Sequence, residues 1–139
     1  VTTEGGLDVF GQKDRLKEFI KPLIDSGINV SMFIAPSRQQ VSASEKIGAN
    51  YIELHTGAYS LAFGTDKEEE EFKKIKAAAA LGHLIGLNVN AGHGLNYQNV
   101  HLMKEIKGLS ELNIGHSIIS KAIFTGLKSA IQQMLELIR

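Results

Sequence analysis

The chain has 139 residues, 43% hydrophobic and 22% charged, with no cysteine and with 15 basic residues (Lys plus Arg) matched by 15 acidic ones. That composition describes one globular domain over residues 1–139, and it excludes a disordered chain, a disulfide framework and thiolate catalysis. Zero formal charge leaves no overall field to draw in nucleic acid or an anionic membrane, and the most apolar stretch, Ala77 to Leu87, falls short of the ~20 residues a membrane span needs.

The expected setting is therefore the cytoplasm, with no nucleic-acid partner and no membrane. The opening Val1-Thr-Thr-Glu-Gly-Gly6 has no initiating Met, basic region or apolar run, so the sequence reads as though it begins mid-protein.

From Gly11 to Ser26, Leu16, Phe19, Ile20, Leu23 and Ile24 recur at helical spacing and form one apolar stripe, which Gly27 ends. Asn29 to Ala35 is short and apolar and is closed by Pro36. It reads as a buried strand, followed by a helix over about Ser37 to Ile47 and a stop at Gly48. The unit recurs as Tyr51 to Gly57 with a long helix from about Asp66 to Ile85. It recurs again as Leu87 to Ala91 with a helix over Tyr97 to Ile106, and as Glu111 to Gly115 with a helix over Ser117 to Leu137.

Alternating short strands and helices imply a parallel sheet, either doubly wound or part of a (β/α)8 barrel. The polar and Gly-rich residues Thr56, Gly57, Gly92, His93, Gly94, Gly115 and His116 fall at the C-terminal ends of successive strands. Barrel enzymes place their chemistry there on strand after strand, whereas open sheets concentrate it at one switch point. The expected fold is α/β, a (β/α)8 barrel of which this chain supplies a leading helix and about four strand-helix units. Four strands do not close such a barrel.

His93, between Gly92 and Gly94, has the open surroundings and near-neutral chemistry of a general acid or base; the alternative is a loop histidine bonding backbone. Asn113-Ile-Gly-His-Ser117 opens the last helix, whose unpaired amides suit phosphate, with simple capping by Ser117 as the alternative. Glu53 lies in an apolar run with His55 on its face, and a carboxylate there must be hydrogen-bonded, paired or functional. The three strand-end histidines, His55, His93 and His116, could also be read as zinc ligands, although they lack a close ligand spacing. His83, His101 and the Glu68 to Glu71 run with Lys73 and Lys74 carry no assigned function and read as solvated helix faces.

The segments Val1-Thr-Thr-Glu-Gly-Gly-Leu-Asp8, Val30-Ser-Met-Phe-Ile34, Ile52-Glu-Leu-His-Thr-Gly57, Val89-Asn-Ala-Gly-His-Gly-Leu-Asn-Tyr97 and Glu111-Leu-Asn-Ile-Gly-His-Ser-Ile-Ile119 together resemble the pyridoxine 5′-phosphate synthase family. The resemblance implies a barrel that condenses 3-amino-2-oxopropyl phosphate with 1-deoxy-D-xylulose 5-phosphate, releasing phosphate and water, without metal or organic cofactor. It implies His93 as proton donor and Glu53 as the second catalytic residue, with Thr2, Gly94, Gly115 and His116 contacting substrate or phosphate. It also implies a homo-oligomer. The family's other catalytic histidine and glutamate, and its basic substrate-holding residues, precede the Val-Thr-Thr segment and are not in this sequence. Ala35-Pro36 stands where many relatives have an aspartate. Two alternatives remain: another phosphate-gripping barrel aldolase or isomerase, and a non-catalytic half-barrel that binds phosphorylated ligands.

Overall fold

A computed structural model describes residues 5–139, and Thr2 lies outside the described residues. Strand alternation builds the core. Met32 and Ile34 of β1 (Ser31–Ile34), Ile52 and Leu54 of β2 (Tyr51–His55), and Val89 and Ala91 of β3 (Asn88–Gly92) point to one face and are buried. Two helices cover that face: α2 (Arg38–Lys46) through Val41 and Ala43, and α4 (Glu68–Leu84) through Phe72, Ile75, Ala78 and Ala79. Each large aliphatic side chain fully buried in this layer stabilises the fold by about 1.5–3 kcal/mol.

The strands are all parallel and lie in the order β1-β2-β3-β4, with β4 spanning Leu109–Asn113. A doubly wound sheet reverses its strand order at a switch point. Here each strand is laid beside its predecessor without reversal, the winding of a (β/α)8 barrel, and the four strands form part of one.

The other sheet face is polar. Phe33, Glu53, Asn90 and Glu111 form one row across the four strands, and His55, Gly92 and Asn113 form the next. In a closed barrel this face is the interior, and its second row stands at the C-terminal rim.

The leading helix α1 (Lys13–Asp25) forms as expected, but only Ile20 of its stripe is fully buried and Phe19 is 67% exposed. Phe19 sits at the margin of the stripe, roughly 100° around the helix from Ile20. Three other expectations need correction. The chain inserts a short helix, α3 (Gly57–Ala62), before α4, and α4 begins at Glu68 rather than Asp66. The helix expected over Tyr97 to Ile106 is a 3-10 turn over Val100–Glu105. There the Asn96 side chain accepts from the Gln98 amide at 2.8 Å and the Asn99 side chain accepts from the Asn96 amide at 2.8 Å, so side chains replace the helical ladder. The long last helix is two, α5 (His116–Thr125) and α6 (Leu127–Ile138), broken at Gly126, whose φ of 79° and ψ of 150° no helix accommodates.

Tyr59 of α3 anchors this loop layer. Its ring is buried, and its hydroxyl donates to the Asn99 carbonyl at 2.5 Å. Burial, and next the charge of Glu68, push the phenol up to about 12. The acidic run behaves as a solvated face: Lys73 pairs with Glu69 and Lys74 with Glu70, both at 2.7 Å. Among the described residues, no helix is long and apolar enough to cross a membrane.

Candidate functional site

Beyond the end of β3 the backbone turns sharply, and the turn determines where His93 stands. His93 has φ of 85°, and Gly94 follows at 78°. Glycine adopts that region freely, but a side-chain-bearing residue held there stores strain of about 1–3 kcal/mol, and the surrounding structure must impose it. The imposing contacts fall on the His93 carbonyl, which accepts from the Thr56 hydroxyl at 2.6 Å and, more weakly, from the Ser60 hydroxyl at 3.4 Å. The His93 side chain is left exposed at the strand-end rim.

The ring is not alone there. It stacks on His55 with centroids 4.6 Å apart and planes 27° from parallel, while Phe33 and His55 meet in a T-shaped arrangement with centroids 5.2 Å apart. Gly57 leaves room for this stack, because a Cβ at that position would lie 2.4 Å from the His55 Cε1. The His55 Nε2 is buried and has no partner among the described residues.

Burial, and next the neighbouring His93, hold the His55 imidazole below its ordinary value. The unfolded chain therefore binds a proton at His55 at a higher pH than the folded chain does. This contribution to stability is complete above the ordinary histidine value near ~6.5 and is lost as pH falls below it. Urea midpoints measured from about pH 8 to about pH 5 should decline on the acid side. The decline should be shallower in His55→Gln, and an unchanged slope would remove His55 as its source.

Glu53 stands in the inner row, half-buried, and accepts from the Asn113 side-chain amide at 2.7 Å. The expected partner for this carboxylate is thus a neutral amide from two strands away, which fixes its direction without neutralising its charge. Asn90 lies between them in the sheet and reaches Glu111 at 3.4 Å, and its Oδ1 has no partner among the described residues.

Gly115 and His116 begin α5, with Gly115, which has no side chain, at the cap position. The first amides of any α-helix lack helical partners, so they are free for an anion. Ser117 is not the cap: its hydroxyl donates to the Leu95 carbonyl at 2.9 Å and ties α5 to the His93 loop.

These elements meet in one cleft of about 690 Å³, lined by Glu53, His93, Gly94, Asn113, Gly115 and His116 among others. Three separated sequence segments expected to carry the chemistry thus converge on one space. Its lining includes no Lys or Arg among the described residues. A second hollow of about 670 Å³ also borders His93, against His55, Gly57 and Ser60. His55 and His93 come together, but among the described residues no three His, Cys, Asp or Glu side chains are grouped to hold a metal ion. The contacts that Thr56, Ser60 and Asn113 make here are not legible in the sequence. Thr56 is adjacent to the His55 position and Asn113 opens the Asn-Ile-Gly-His segment, so the signal was positional rather than chemical.

The sequence matches the family described as "Pyridoxal phosphate biosynthesis protein PdxJ" over residues 1–139. It is 52% identical over 138 residues to the pyridoxine 5′-phosphate synthase of Sulfurihydrogenibium sp. (strain YO3AOP1), covering 99% of this chain and 56% of that protein. It is 50% identical over 139 residues to the enzyme of the same name from Geobacter sulfurreducens, covering 100% of this chain and 58% of the relative. The Thermodesulfovibrio yellowstonii enzyme is likewise 50% identical over 139 residues, with 100% and 57% covered. The chain thus spans a little over half the length of the curated relatives it matches. With the strand order, the strand-end cleft and these likenesses in agreement, the chain belongs to the PdxJ family of pyridoxal phosphate biosynthesis proteins.

Proposed function

We propose that this chain forms the C-terminal part of a pyridoxine 5′-phosphate synthase, a cytoplasmic homo-oligomeric enzyme that condenses 3-amino-2-oxopropyl phosphate with 1-deoxy-D-xylulose 5-phosphate. The observation that carries the reading is the convergence of Glu53, His93 and the Gly115-His116 turn on one cleft at the strand ends. Joining an amine to a ketone, expelling water and phosphate and aromatising a ring require successive proton transfers at defined atoms. An exposed imidazole, which can both give and take a proton, suits them, and His93 is the proton donor in this reading.

Glu53 takes the complementary part. Its carboxylate, directed by Asn113, faces the cleft as a fixed negative charge that stabilises cationic nitrogen as the amine adds and water departs. The α5 N-terminus binds the phosphate of one substrate through the amides beginning at His116, with Gly115 leaving the approach open, since nothing lies within 4 Å of a Cβ built there. Gly94 borders the cleft beside His93, and Thr2 contributes a ligand contact from the opening segment. The cleft lining has no cation of its own among the described residues, so the charge-balancing basic groups come from the part of the barrel that these strands do not supply.

The test is product formation. The complete gene product, given both substrates, should release inorganic phosphate and form a compound that co-elutes with pyridoxine 5′-phosphate and has its mass. Cleavage or isomerisation of either substrate alone, with no ring product, would favour the aldolase or isomerase alternative instead.

A further inference from the structure

Resting on the reading of His93 as the proton donor, we propose that Thr56 is a positioning residue for this reaction: its hydroxyl grips the His93 carbonyl and so holds the imidazole over the cleft. Three observations converge on it. Thr56 is fully buried at the junction of β2 and α3, in the position that caps the short helix. A threonine there ordinarily turns its oxygen toward the helix amides, but this side chain makes no such bond. It reaches across to the neighbouring strand instead, sharing its one hydroxyl hydrogen between the Gly92 carbonyl at 2.7 Å and the His93 carbonyl at 2.6 Å.

The backbone explains why that grip matters. The Thr56 amide also donates to the Gly92 carbonyl, at 2.8 Å, so both carbonyls flanking the strained residue are fixed from one side. Without the hydroxyl, the His93 carbonyl is no longer held, and rotation about the His93 N–Cα bond can return the residue to an ordinary negative φ, swinging its ring off the His55 stack and away from the cleft. Ser60, at 3.4 Å, is too distant from the carbonyl to replace the lost bond. Small misplacements of a reacting group have large kinetic effects, since about 1 Å can cost roughly a hundredfold in rate.

The experiment compares Thr56→Val, which keeps the shape and loses the hydroxyl, with Thr56→Ser, which keeps the hydroxyl, in the complete gene product. Thr56→Val should lower kcat by about tenfold to a hundredfold with KM changed by less than about threefold, and Thr56→Ser should stay within about threefold of the parent. A wild-type kcat in Thr56→Val, or an equal loss in both variants, overturns the proposal. Should Thr56→Val fail to fold, adding His93→Gly decides the matter: glycine removes the strain the hydroxyl restrains, so the double variant should fold, and failure to recover also overturns the proposal. His93→Ala, assayed alongside, separates the two levels of inference. Turnover surviving in His93→Ala refutes the proton-donor reading itself, whereas its loss there together with wild-type kcat in Thr56→Val refutes only the role of Thr56.

Discussion

Replacing His93 by alanine should lower turnover by about 10²- to 10⁴-fold, the range for loss of a positioned general acid, while leaving the fold intact. The side chain is exposed and its main contact is the stack with His55, so truncation opens no core cavity. The strained backbone is unaffected, because the carbonyl grip of Thr56 and Ser60 does not involve the ring. Alanine at φ of 85° carries a similar strain to histidine, so the thermal midpoint should move little. Affinity for inorganic phosphate should also persist, since the amides at the start of α5 come from a different strand end. Steady-state kinetics, circular dichroism and calorimetric titration with phosphate read these three expectations separately. Turnover near wild type in a folded variant would remove His93 from the chemistry. Loss of phosphate binding together with turnover would show instead that the His93 loop and the α5 turn form a single binding unit.

The strand-helix alternation was legible because each strand buries one face. Ile52 and Leu54 against Glu53 and His55 is a period-2 pattern, and it assigns the chemistry-bearing side chains to the face opposite the core. The convergence of the Gly-His-Gly and Asn-Ile-Gly-His segments was equally legible, since both follow strands and parallel strands end at one rim. What sequence periodicity missed were local competitions. Asn96 and Asn99 turn a helix-like stretch into a loop by bonding backbone amides, and Gly126 divides a run of helix formers through a single dihedral. The Thr56 grip was hidden for another reason. A cap-position threonine followed by glycine looks like any helix start, and only the register between β2 and β3 shows its hydroxyl facing the His93 carbonyl. The partner of Glu53 was likewise unreadable, because Asn113 is 60 positions away and meets it only through the sheet.

The inner row makes a second large effect predictable, at Gly92. A Cβ built there would lie 2.6 Å from the Glu53 Oε1, 2.7 Å from the Asn113 carbonyl oxygen and 3.0 Å from the Asn113 Cβ. The carboxylate can swing aside, but only by leaving its 2.7 Å bond to Asn113. The carbonyl belongs to β4, which pairs with β3 at this residue, so relieving that contact requires the two strands to part where the site is built. Gly92→Ala should therefore destabilise the protein by about 1–3 kcal/mol, as overpacking does, and reduce turnover by about tenfold or more through the displaced Glu53. Gly115→Ala supplies the contrast for stability: a Cβ there has nothing within 4 Å, so the urea midpoint should fall only by the modest cost of alanine at a helix cap, short of the Gly92→Ala loss. Equal midpoints for the two variants would mean that the Glu53, Gly92 and Asn113 row is looser than its distances state. A shifted midpoint with normal turnover would separate the packing of this row from the chemistry assigned to Glu53.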